Sequence, residues 1–315
     1  MRLRGISARI FFSLLLVACA GRAGAAEDFS TWAHSAKLHI NTTSTGADVK
    51  KPMTDVPLLV RISDIRILSQ AASDGSDLRF ASESGTALNF QIERWAPAQG
   101  KAEIWLRMPQ IDSSSSKQFV NVYWGKPGAP WLSDGSGVFR KSGYYAVYHL
   151  GEGGTQTRTN SAGNWNHAAP KNYEGDERVE GVIGMADSLD GASMGGDYLD
   201  LGGGFDSLQS FTFNVWAYCR NLNAAEQFLD LGRAAMGPGG FGTFTEEFQF
   251  GQPSKGDSLA GTFNQGNFFP ASVGVAKVMT SAKWSQYGIT VAGTVVSLYK
   301  DGVRVGGGNL PQARP

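Results

Sequence analysis

Cysteine is almost absent from this sequence, with two in 315 residues. Cys19 lies in the N-terminal apolar segment and Cys219 in the second half, so once that segment is removed no intramolecular disulfide can form. Histidine is equally scarce. The four at positions 34, 39, 149 and 167 are too scattered for zinc-ligand spacing. An excess of charge is lacking too: 28 basic side chains face 28 acidic ones, with no polybasic run, which argues against nucleic acid as a partner. No stretch beyond the N-terminus approaches the ~20 apolar residues of a membrane-spanning helix. There are no heptads and no internal repeat. No His-Glu-x-x-His occurs, no Gly-x-Ser-x-Gly elbow lies between a strand and a helix, and the glycine runs 202–204 and 306–308 lack the Lys-Ser/Thr of a phosphate loop.

Glycine is abundant, at 41 residues, beside 42% hydrophobic residues and 11% aromatics. That combination excludes disorder and disfavours long helices, so the chain is expected to be all-β, and its length suits two domains. Residues 1–26 stand apart. Arg2, Arg4 and Arg9 precede the apolar run Ile10–Ala20, and Ala23-Gly24-Ala25 follows as a small-residue cleavage pattern, the layout of a secretory signal. Cleavage after Ala26 leaves 24 basic against 28 acidic side chains. Leu16-Val17-Ala18-Cys19 also fits a lipobox, which makes Cys19 a lipidation candidate. Both processing routes remain open at this point.

Five short runs between Trp32 and Gly125 read as strands: 36–40, 56–62, 88–95, 102–108 and 119–124. Leu88, Phe90 and Ile92 alternate with Asn89, Gln91 and Glu93. Ala102, Ile104, Leu106 and Met108 alternate with Glu103 and Arg107, as a sheet with one buried face requires. The Pro/Gly/Ser-rich stretch 126–143 is expected to be a linker, separating a β domain at 30–125 from a second at 144–315. In the second, Phe211, Phe213, Val215, Ala217 and Cys219 share one parity, so Cys219 is expected to act as a small buried hydrophobe. Thr212, Asn214, Trp216 and Tyr218 share the other. Asp301-Gly302 between two apolar runs predicts a type I′ hairpin.

Residues 74–80 (DGSDLRF), 90–95 (FQIERW), 102–109 (AEIWLRMP) and 122–125 (VYWG) resemble a bacterial domain family known only by number, domain of unknown function 2341. From Tyr148-His149-Leu150-Gly151-Glu152 onward the chain is similar to the laminin-G-like, concanavalin A-like lectin/glucanase superfamily. That likeness rests on 160–167 (NSAGNWNH), 197–201 (DYLDL), 210–216 (SFTFNVW), Trp284 and 298–302 (LYKDG). Asn160 stands where that family usually shows Asp. The resemblance implies two β-sandwich modules, the second a jelly roll. Because the chain stops at Pro315, it is expected to lack that roll's last strands and to be a fragment or a truncated gene product. The tandem also resembles the extracytoplasmic part of some proteins with a MotA/TolQ/ExbB-type proton-channel module.

Glucanases of this superfamily hydrolyse with facing carboxylates, but no Glu-x-Asp-x-x-Glu occurs, and the adjacent Glu246 and Glu247 would point to opposite faces of a strand. No catalytic residue and no cofactor are therefore expected. Asp187, Asp190, Asp197 and Asp200 cluster in what should be rim loops, with Asp187 and Asp200 as candidate Ca²⁺ ligands. Trp165, Asn166 and His167, in the polar loop 160–167, are the candidate ligand contacts, with the indole as a stacking platform. The rim is completed by 187–200 and 237–245. The expectation is an exported envelope binding or scaffold protein that recognises a glycan or an envelope protein, with any membrane attachment made through a lipid anchor or a further C-terminal module. The alternative is an atypical glycan hydrolase. Sequencing the N-terminus of the cell-derived protein should find Met1 gone, with Glu27 or an acylated Cys19 in first place; a chain still starting at Met1 contradicts export.

Overall fold

The computed structural model describes residues 27–190, 196–205, 208–223, 226–236, 242–264 and 271–311. The signal-like segment and Cys19 lie outside these, as do residues 237–241 of the expected rim and the side chains of Glu246 and Glu247. Strands account for 44% of the structure and helices for 8%, confirming the all-β class.

The first module holds β1 (His34–His39), β2 (Met53–Ile62), β3 (Arg79–Ala81), β4 (Phe90–Ala96), β5 (Lys101–Ile111) and β6 (Phe119–Trp124). They form two three-stranded sheets, β1-β6-β3 and β2-β5-β4. The inward residues of each alternating strand meet in one core around Phe80, Phe90, Ile104, Leu106, Val120 and Val122. Pro57 is tolerated because β2 is an edge strand. One short helix, α1 (Ile65–Gln70), buries Ile67 and Leu68 against this core. Its cap is Asp64, whose carboxylate accepts from the backbone N–H of Arg66.

The 74–77 signature acts as a turn tied to β6. Asp77 is buried and accepts from the N–H groups of Ala72, Gly125 and Lys126, while its carbonyl takes the Trp32 indole N–H. Gly75 sits at φ 75°, against the Trp95 ring.

Between the modules run β7 (Ala169–Lys171), β8 (Arg178–Glu180), β9 (Met185–Asp187) and β10 (Tyr198–Asp200), which pair as two small ribbons, β10-β7 and β8-β9. The second module contains β11 (Phe211–Tyr218), β12 (Glu226–Met236), β13 (Gly242–Gln252), β14 (Leu259–Asn264), β15 (Ala271–Val275), β16 (Trp284–Ala292), β17 (Val295–Lys300) and β18 (Val303–Asn309). Its two four-stranded sheets are β11-β16-β17-β18 and β12-β13-β14-β15. Their inner faces interlock through edge-on ring pairs, Phe211 with Phe248 at 5.2 Å and Phe213 with Phe250 at 5.8 Å, over a floor of Tyr287, Ile289 and Leu298. Cys219 packs at the margin of this core, half-buried. Asp301 and Gly302 adopt φ of 50° and 78°, the left-handed pair that the β17–β18 hairpin requires.

Candidate functional site

The loop expected to contact ligand is organised from within by Asn160. Its Oδ1 accepts from the N–H groups of Val147 and Ala162, its Nδ2 donates to the Trp165 carbonyl, and its backbone N–H donates to His167 Nδ1 at 3.0 Å. An aspartate here would accept the first two bonds but could not donate the third, which accounts for the carboxamide at this position. Trp165 is half-buried. The Arg140 guanidinium covers its ring at 4.3 Å and Gly163 packs directly against it. Asn166 donates to the Gly203 carbonyl at 2.8 Å, and its own carbonyl accepts from the Tyr148 hydroxyl. Burial, together with neighbouring Tyr145, pushes the Tyr148 phenol up to about 12. Trp165 and Asn166 thus brace the passage into the second module, and the indole is not an open platform.

Asp187 and Asp200 are placed differently from each other. The Asp187 side chain is 2% exposed, and its two oxygens take the Nε and Nη2 of fully buried Arg158, each at 2.9 Å. The Tyr173 hydroxyl adds a third donor at 3.0 Å, and burial beside that carboxylate raises the phenol's pKa. Asp200 is exposed, accepts from Gly202 N–H and lies 4.0 Å from Lys171 Nζ. The carboxylates of Asp190 and Asp197 each accept the other's backbone N–H, at 3.1 Å. Among the described residues the carboxylates that converge are Glu174, Asp176 and Glu177, within 4.8 Å of one another. The Glu177 carboxylate closes a turn by accepting from the N–H groups of Glu174 and Gly175.

A second cluster lies on the outer face of the β2-β5-β4 sheet, where alternation predicts solvent. Glu103 is only 5% exposed. One of its oxygens takes Arg61 Nε at 3.3 Å; the other takes Arg94 Nη2 at 2.9 Å and the Gly184 N–H at 2.6 Å. The β8–β9 turn is thereby pinned to β5. Arg61 also holds the Val182 carbonyl, while Arg94 and Lys101 share the Glu180 carboxylate. Gly184, at φ 61°, sits so close to Glu93 that a Cβ would strike its carboxylate. Glu93 in turn accepts from the Trp105 indole N–H and faces His149 Nδ1 at 3.0 Å.

Within the stretch 126–143, residues 133–139 are packed, while Trp131 and Leu132 before them are exposed. Ser133 and Asp134 bond to β4, and α2 (Gly135–Val138) leads to a small core of Val138, Phe139 and Ala162 against Trp105 and Val147. Burial pushes the Glu103 carboxyl up, but the Gly184 N–H and Arg94 outweigh it and hold its pKa below the usual 4.5.

Among the described residues, one sheet face of the second module is left open. On β11, Thr212, Asn214, Trp216 and Tyr218 all point outward, with Trp216 42% and Tyr218 45% exposed. The register sets Tyr218 opposite Trp284, Trp216 opposite Gln286, Asn214 opposite Gly288 and Thr212 opposite Thr290. Tyr299 and Ser297 of β17 continue the last two rows. Parity along β11 locates this face in the sequence, but packing between the modules is the ordinary expectation for a tryptophan there.

The clasp around Glu103 makes a stability prediction. A carboxyl whose pKa is depressed on folding stabilises above its unfolded pKa, and that stabilisation is lost as pH falls through the folded value. Glu103→Gln should therefore cost ~3 kcal/mol at pH 7 in denaturant titrations, because Arg94, half-buried beside it, loses a partner. The deficit should shrink as pH falls below the usual carboxylate range and through the lowered folded value, where the native carboxyl also becomes protonated. A deficit that stays constant down to the pH at which the native carboxyl is protonated contradicts the assignment.

Residues 74–166 match the family model of a domain of unknown function, DUF2341. Residues 193–315 match the model of the concanavalin A-like lectin/glucanases superfamily. No curated protein matches the chain. Among solved structures, it is similar to the crystal structure of residues 221–444 of an S-layer domain-containing protein from Clostridium thermocellum. That likeness has 21% identity, covers 53% of this chain and 74% of that one, and has a TM-score of 0.35. Loop 160–167 falls almost wholly in the first match, in keeping with its packing beside the outer sheet of the first module. Two family models thus match the chain in tandem, DUF2341 first and the concanavalin A-like lectin/glucanases superfamily second.

Proposed function

We propose that this is an exported cell-envelope protein that binds a glycan or a partner protein at the cell surface and carries out no chemistry on it. The observation that carries the reading is the exposed outer face of the β11-β16-β17-β18 sheet, on a module of the lectin/glucanase superfamily. A monomer keeps large aromatics at that exposure on one continuous face chiefly where something else binds. The signal-like N-terminus supports export. No helix among the described residues is long and apolar enough to cross a membrane, and the reading places the modules outside the bilayer.

Binding is favoured over hydrolysis by the state of the two neighbouring carboxylates of the first module. Glu103 is occupied by two guanidinium groups and a backbone amide, and Glu93 by an indole N–H and a histidine. Neither is free to serve as acid or nucleophile while the β8–β9 turn is seated. The test uses the chain from Glu27 on a glycan array and in an envelope pull-down whose captured protein is purified and rebound. Saturable binding in either assay, with the sugar released unchanged, is expected; two empty results, or cleavage of a bound glycan, contradict the reading.

A further inference from the structure

We infer that β11 is the joint of a homodimer: its open edge pairs antiparallel with the same edge of a second copy, about a two-fold axis at Val215, so that two β11-β16-β17-β18 sheets run on as one. This goes beyond the binding reading and does not depend on it.

The ladder leaves one side of β11 unpaired. The Asp301 N–H donates to the Gln286 carbonyl, so the even-numbered residues of β16 bond towards β17, and Ser285, Tyr287, Ile289 and Val291 bond towards β11. On β11 the backbone groups of Phe211, Phe213, Val215 and Ala217 are used in this way, while those of Thr212, Asn214, Trp216 and Tyr218 point away from the sheet. Among the described residues no other strand pairs with them. The core is open along the same line. Tyr287 and Ile289 on β16 are fully buried, but Phe213 and Val215 beside them, facing the same core, are only half-buried.

An unpaired edge is a template for another chain, and folded proteins blunt it with bulges, prolines, charges, short strands or a covering segment. The other edges here are blunted. β2 carries Pro57 and, at φ 54°, Asp55. β4 is covered by Ser133 and Asp134, which bond to Ile92 and Phe90. β12 and β18 have breaks in register, β1 holds Lys37, and β3 and β15 run for only three and five residues. In contrast, β11 keeps eight residues in unbroken register with no proline and no charged side chain.

The strand that fits this edge is β11 itself. Val215 is the midpoint of 212–218, so a two-fold axis there sets Asn214 opposite Trp216 and Thr212 opposite Tyr218 of the second copy. Every outward N–H and C=O then finds a partner. On the inner side Val215 meets its own copy and Phe213 meets Ala217, a ring against a methyl, which closes the open margin of both cores. On the outer face the two Trp216 side chains lie diagonally across the axis, ~7–8 Å apart and within reach of each other, which accounts for a large aromatic left exposed in the single chain. A two-fold axis also brings like charges together, and a strand without charge has nothing to repel its copy. A different protein would be steered by charges that β11 lacks.

The experiment is sedimentation velocity of the chain from Glu27 over a concentration series. The wild type should pass reversibly from monomer to dimer. Asn214→Pro removes one outward N–H, which an edge strand tolerates, so it should stay monomeric with the thermal midpoint of the dilute wild type. Asn214→Lys, which sets two like charges diagonally across the axis, should weaken association about tenfold at low salt and regain it at high salt. That variant keeps the test valid if the proline unfolds the chain. Val215→Cys should give a disulfide-linked dimer on mild oxidation, because the facing Cα atoms of such a pair are ~4.5 Å apart; Thr212→Cys, ~20 Å from its own copy, should not. Dimers that persist in both Asn214 variants, or that cross-link through Thr212→Cys and not through Val215→Cys, overturn the joint. A wild type that stays monomeric overturns it too, whether hydrogen exchange finds the 212–218 amides open or shielded by another segment of this chain.

Discussion

A single carboxylate on the wrong face of a strand governs how the first half of this chain is arranged. Glu103 belongs to the polar parity of β5, yet it is buried, and a buried carboxylate is stable only when donors surround it. Arg61 and Arg94 come from the strands on either side, and the third contact is the backbone amide of Gly184, about eighty residues further along the chain. To deliver that amide the β8–β9 ribbon must lie across the sheet. In doing so it joins Trp105, Phe139 and His149 in covering a face that alternation alone leaves in water.

The two modules therefore treat their outer faces in opposite ways. The first closes its outer sheet with its own chain, through α2, loop 160–167 and the β8–β9 turn, so its polar groups serve the fold. Among the described residues, the second leaves the outer sheet of β11 and β16 uncovered, and the side chains there are of the kind that recognise something else. Trp105 and Trp216 make the contrast concrete. Both sit on the polar parity of a strand, but one donates to Glu93 beneath a covering segment while the other is exposed.

The strands were largely legible in the residues because period-two alternation is a local signal. The runs 102–108 and 211–219 and the Asp301-Gly302 turn all lie where alternation and turn chemistry place them. α1 escaped, since six residues give too little helical period to stand out, although Asp64 is a legible cap. What covers a face is not a local property. A glutamate that alternates with isoleucine reads as solvated whether water or a distant hairpin lies above it, so Glu103 and the seating of 133–139 were hidden. For the same reason Trp165, in a polar loop, looked freer than it is under Arg140, while Trp216 and Tyr218 carried the better signal as two aromatics on the wet side of one strand.

The most direct measurement of this arrangement is amide hydrogen exchange at Gly184. If its N–H is donated to buried Glu103, exchange should be as slow as in the β5 ladder, and replacing Glu103 with Ala should release 178–187 while β11 and β16 stay protected. A Gly184 amide that exchanges in the intact protein at the rate of an open loop would contradict the account.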